Sequence, residues 1–203
     1  MEALRKCQET SQKNKNQFSE PPGGFLVWLI VVMELLVFAA GFIMVALMRK
    51  NSPKMFFEEQ SHFDLGSGIG MTLILLTSGW LVAESVLAYF TDKKRRATFF
   101  HIGSVLLGTI FLILKYIDFQ KKSQIGLSLG KNDFWDAYWL LAGFHYAHVC
   151  IGLLLLTVVS VKMAKKASFE DEDFAIRGSA TFWHMCDLAW FFIFPLFYVG
   201  VQL

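Results

Sequence analysis

Between an N-terminal tail and the C terminus, the chain has no polar stretch long enough to fold as a soluble domain. Cysteine is scarce: Cys7, Cys150 and Cys186 lie far apart with no C-x-x-C spacing, so neither a disulfide framework nor a thiolate metal site is indicated. No H-E-x-x-H or related spacing offers a zinc or iron site, and no internal repeat of the kind common in transporters is present. Met1 to Glu20 have no apolar core and do not form a signal peptide; they read as a polar cytoplasmic tail, disordered or lying on a surface.

Apolar sequence is abundant. Hydrophobic residues make up 55% of the chain and phenylalanine alone accounts for 21 of 203 positions, more than a soluble domain of this size needs for its core. Pro21-Pro22-Gly23-Gly24 ends the tail, and five apolar runs follow, each close to the length of a bilayer span. They cover about Phe25 to Met48, Gly68 to Phe90, Ala97 to Leu114, Phe134 to Val161 and Ala180 to Val201. Arg49 to Gly66 reads as a surface loop with His62 in solvent, and Lys115 to Asp133 as a polar connector. The expected fold is all-α: a polar tail over 1–23 and a five-helix transmembrane bundle over 24–203.

Lysine and arginine set the expected orientation. With the tail inside, twelve fall on the inner side and seven on the outer side, and the compact turn Asp92-Lys93-Lys94-Arg95-Arg96 is inner. This bias predicts a cytoplasmic N terminus and an outer C terminus. Orientation accounts for the basic residues, so no nucleic-acid partner is needed.

Ionisable residues inside such spans are candidates for function and need partners. Span four carries Gly143-Phe144-His145-Tyr146-Ala147-His148-Val149-Cys150-Ile151-Gly152, with two imidazoles three residues apart near one helical face. At about 1.5 Å per residue, Glu34 in span one and His148 each lie about 15 to 21 Å from a span end, near the midplane. They are expected to meet. Glu84, His101, His184 and Asp187 count into an inner polar layer built from spans two, three and five. A glutamate facing a histidine in lipid avoids two isolated desolvations, and serves proton movement, a lipid headgroup or helix fastening. His145 and His148, on one helix, cannot both be axial ligands of one haem; His101 and His184 could be only if their helices face each other. In Phe182-Trp183-His184-Met185-Cys186-Asp187-Leu188-Ala189-Trp190 the plain reading makes the tryptophans interfacial anchors, with His184 and Asp187 satisfied by neighbouring helices. Pro195 is expected to kink that span.

Together, Trp28 to Ala46 with its Glu34, the G-F-H-x-x-H-V-x-x-G run and the F-W-H-x-x-D-x-x-W run resemble subunit III of the haem-copper oxidases, over roughly Gly24 to the C terminus. The five-span form is similar to the quinol oxidase version and to the related accessory subunit of nitric oxide reductases. The resemblance implies a non-redox subunit with no haem, copper or catalytic residue of its own, packed beside a haem-bearing catalytic subunit in the inner (plasma) membrane. It further implies phospholipid held in a cleft between helices and support of sustained proton uptake. Glu34 falls on the family's buried glutamate, His148 on its second histidine, and His184 and Asp187 on its last-helix pair. Asp118 departs from the family, which commonly has glutamate there. The alternatives are an accessory subunit of a nitric oxide reductase and an independent membrane carrier built around Glu34 and His148.

Overall fold

The computed structural model describes residues 23–165 and 171–199, so the expectation for the N-terminal tail lies outside the described residues. All regular structure among them is helical: α1 (Phe25–Asn51), α2 (Pro53–Gln60), α3 (Leu65–Phe90), α4 (Lys94–Gln124), α5 (Asp133–Ala164) and α6 (Glu172–Tyr198). Five of these, all but α2, are long and apolar enough to cross a membrane.

Three of the five long helices begin at a residue that supplies an acceptor to their first free amides. The Asp64 carboxylate accepts from Gly66 N–H and Ser67 N–H at 3.1 and 3.0 Å, the Asn132 side chain from Trp135 N–H at 3.1 Å, and Asp171 from Phe174 N–H at 3.0 Å. The first helix instead leaves a glycine pair. Gly23 and Gly24 have φ of 82° and 84°, and a Cβ on Gly23 would lie 2.7 Å from the backbone nitrogen of Gly178, so this entry needs both a left-handed backbone and bare glycine.

The long helices pack as α3 on α4, α4 on α5, α5 on α6 and α6 on α3, while α1 lies against α5 and α6. Small residues allow the close approaches. Trp183 is fully buried between α4 and α5, where a Cβ on Gly108 would stand 2.7 Å and one on Gly152 3.0 Å from its ring. Trp190 is also buried, with its indole N–H donating to Thr72 at 2.9 Å. Both tryptophans are therefore core residues, which corrects the expectation of interfacial anchors.

Three further expectations change. The loop after the first span contains α2, opened by Pro53 at its first position. The third span does not stop at Leu114, because Lys115, Asp118 and Lys122 recur at helical spacing and Asp118 pairs with both lysines along one face. Helix α6 starts eight residues before Ala180, because the polar first turn carries its own cap at Asp171. It continues through Pro195 to Tyr198, and Gln60 of α2 donates to the Leu196 carbonyl at 3.0 Å, supplying a donor to the free end of the helix.

Candidate functional site

Glu34 and His148 do meet. His148 Nε2 lies 3.1 Å from Glu34 Oε2, an ion-pair approach that does not reach linear hydrogen-bond geometry. His148 Nδ1 is 2.8 Å from the Phe144 carbonyl, which can only accept, so that nitrogen carries a proton. Its other nitrogen then makes an attractive contact with Glu34 when a single proton lies between them. Carboxylic acid with neutral imidazole, and carboxylate with imidazolium, have the same net charge of zero. The pair can hold or pass a proton without placing an isolated charge in the bundle.

Aromatic rings close around it. Phe38 packs edge-on to both His145 and His148, at 6.3 and 5.6 Å between centroids, and Phe182 stacks on His148 at 6.2 Å. His145 is fully buried, stacked on Trp190 at 5.5 Å, and neither ring nitrogen has a hydrogen-bond partner among the described residues. It does not join the Glu34–His148 contact.

Phe182 also forms the head of an apolar groove between α1, α5 and α6. That groove has a volume of about 460 Å³ and is lined by Leu26, Ile30, Leu154, Val158, Phe174 and Phe182, among others. A second groove of about 250 Å³, between α1 and α5, is lined by Val37, Gly41, Leu140 and Phe144 on the other side of Glu34 along its helix. The polar pair thus sits between two apolar hollows on the flank of the least enclosed helix.

The expected inner layer divides. Asp187 Oδ2 lies 3.2 Å from His184 Nδ1, and both residues stand between Phe182 and Trp190, whose rings stack on His148 and His145. They consequently share the level of Glu34 and His148; starting the last span at Ala180 placed them too near its end. Gly79 of α3 makes room for them, since a Cβ there would overlap the Asp187 carboxylate. His101 sits deeper, with Nδ1 3.1 Å from Ser85 Oγ and its ring against the backbone of Leu156, eight residues beyond His148 or about 12 Å along the helix. Glu84 is beside Ser85 in sequence but five residues past Gly79, hence about 140° around α3 from the side facing Asp187. It is half-buried and makes no ion pair or hydrogen bond with the described residues. Glu84, His101 and His184–Asp187 therefore form three separate places.

At the opposite end of α4 lies a cluster that the connector reading missed. Asp118 accepts from Lys115 Nζ at 3.0 Å, Tyr138 O–H at 3.0 Å and Tyr198 O–H at 3.1 Å through Oδ2, and from Lys122 Nζ through Oδ1. Lys115 Nζ also donates to Tyr138 and Tyr198 at 2.9 and 3.0 Å, which engages all three ammonium hydrogens of a side chain with no exposed surface. Rings of Phe119, Tyr138, Trp190 and Tyr198 stand 4.8 to 5.4 Å from that nitrogen. The cluster joins α4, α5 and α6. Its signal was present in the sequence: Lys115, Asp118 and Lys122 are spaced for one helical face.

Nearby, Glu59 fastens α2 to α5. It accepts from Trp135 Nε1 at 2.7 Å, Asn132 Nδ2 at 2.6 Å and Lys131 Nζ at 3.1 Å. Burial pushes its carboxyl pKa up, but the hydrogen bonds from Trp135, Lys131 and Asn132 and the charge of Lys131 outweigh burial and hold it below the usual glutamate range. His62 beside it is exposed.

These features define a polytopic helical membrane protein in which a glutamate of one spanning helix, Glu34, meets a histidine of another, His148. A family model described as cytochrome c oxidase subunit III matches residues 24–201, and the chain belongs to that family. It is 26% identical over 137 residues to the probable quinol oxidase subunit 3 of Staphylococcus saprophyticus, covering 68% of each chain. It is 23% identical over 172 residues to quinol oxidase subunit 3 of Bacillus subtilis, covering 85% of this chain and 84% of that one. With cytochrome c oxidase subunit 3 of Triticum aestivum it shares 28% identity over 127 residues, or 63% of this chain, and the match spans about half of that relative, 47%.

Proposed function

We propose that the chain is a non-redox accessory subunit of a haem-copper respiratory oxidase, seated beside the haem-bearing catalytic subunit in the inner (plasma) membrane. Its N terminus is cytoplasmic and its C terminus outside. Its work is to support assembly, hold phospholipid and sustain proton-coupled oxygen reduction. The redox centres, and the choice of electron donor, belong to the partner subunits. The relatives named above are oxidase subunits, which favours oxygen over nitric oxide as substrate of the complex and a subunit role over an independent carrier.

The observation that carries the lipid role is the Glu34–His148 pair set between two apolar grooves. Acyl chains fill such hollows through apolar contact. The neutral pair keeps the α1 contact closed without an isolated charge. Glu34→Ala in the assembled complex tests this. Oxygen consumption is expected to start near the unmodified rate and to decline earlier, with less phospholipid retained per complex. Immediate, complete loss of activity with lipid content intact would overturn the reading.

A further inference from the structure

His184 presents a polar group on the bundle's outside at a depth where lipid offers it nothing. Its side chain is 45% exposed, while Asp187 beside it is 10% exposed. His184 Nδ1 faces Asp187 Oδ2 at 3.2 Å, so Nε2 is the ring nitrogen left without a hydrogen-bond partner among the described residues. Asp187 Oδ1 is buried and has no hydrogen-bond partner among the described residues. The pair therefore presents two unpartnered polar atoms, His184 Nε2 and Asp187 Oδ1. His184 stands ten residues from Phe174 and fourteen from Tyr198, the ends of its membrane span, or about 15 and 21 Å. Headgroups do not reach that far into a core about 30 Å thick, and acyl chains carry no hydrogen-bonding group. Leu188 and Phe191, four and seven residues on and so on the same helical face, are exposed.

We propose that this face of α6 docks a membrane-spanning helix of the haem-bearing partner, which supplies a hydrogen-bond partner to His184 Nε2. Asp187 is a positioning residue: it fixes the direction of the ring, and Gly79 makes the room that allows this. The apolar flank of Leu188 and Phe191 supplies packing area, and the single polar contact sets the register. The inference rests on the accessory-subunit reading above, and an unpartnered ring nitrogen exposed at a depth where lipid offers no hydrogen bond is what selects a protein helix over lipid.

The test places the photoreactive residue p-benzoylphenylalanine at Leu188 in the full chain within its native membrane, followed by illumination, purification and mass spectrometry. The expected adduct joins Leu188 to a transmembrane segment of the haem subunit. In parallel, His184→Leu is expected to reduce retention of that subunit in detergent by about three- to twentyfold at an unchanged level of the chain, and His184→Gln to restore part of it. If His184→Leu fails to accumulate, the Leu188 probe, which leaves His184 intact, decides alone. Adducts with lipid only, or with a second copy of this chain, while the haem subunit still copurifies, would overturn the docking proposal and leave the functional reading standing. Absence of any haem subunit from the purified material would overturn both.

Discussion

Replacing Asp118 should harm this protein far more than replacing the lysine it neutralises. The carboxylate receives Lys115, Lys122, Tyr138 and Tyr198 together, and its side chain is only 18% exposed. Asp118→Ala leaves two largely buried ammonium groups without a counter-ion, the case in which breaking a buried pair costs about 3 to 5 kcal/mol. Lys115→Met instead removes one charge and keeps the aliphatic volume, while Lys122 still neutralises Asp118 and both tyrosines still donate to it. Exchange of a buried charge for a hydrophobe of similar size is commonly neutral or mildly stabilising, so its cost should stay below about 1 kcal/mol. Reversible unfolding of the purified chain in mixed micelles, followed by circular dichroism, measures both. Equal losses for the two variants would refute the reasoning, because they would show that the cage around Lys115, and not the carboxylate, ties α4 to α5 and α6.

Three further outcomes follow from the geometry. Gly79→Ala should cost about 1 to 3 kcal/mol by driving a methyl into the Asp187 carboxylate, and Asp187→Ala in the same chain should recover most of it; strictly additive losses in unfolding would remove the contact from the account. Glu59 has a depressed pKa in the folded chain, so its contribution is complete above the ordinary glutamate range and is lost as pH falls through the folded value. Acid titration followed by hydrogen exchange at α2 should therefore show release of that helix, with Glu59→Gln removing the pH dependence; an unchanged titration in Glu59→Gln would contradict the assignment. Glu34→Ala and His148→Ala, combined, should destabilise the assembled complex by less than the sum of the single losses, and strict additivity in a double-mutant cycle would argue against the 3.1 Å contact.

Much of this architecture was legible because lipid imposes simple rules. Runs of about twenty apolar residues must be helical spans, and a rise of about 1.5 Å per residue was enough to bring Glu34 and His148 to one depth. The ends were harder, since a span ends in composition where it meets charge but a helix ends where its backbone loses partners. Lys115 looked like the start of a loop, yet its charge is neutralised by a carboxylate three residues on, so the helix continues to Gln124. The polar turn before Ala180 hid the Asp171 cap, and the resulting offset assigned His184 and Asp187 to the wrong level. Helix rotation was the other gap. Glu84 shared a depth count with Asp187, but the close approach of Gly79 to Asp187, seen only in three dimensions, puts the two on different sides of α3.

The most direct measurement is purification of the tagged chain in mild detergent, with mass spectrometry of its partners and an optical spectrum of the eluate. A haem-bearing oxidase subunit is expected in fixed ratio to the chain, with the haem absorbance following that subunit. A lone, colourless chain from membranes in which the complex is otherwise intact would contradict it.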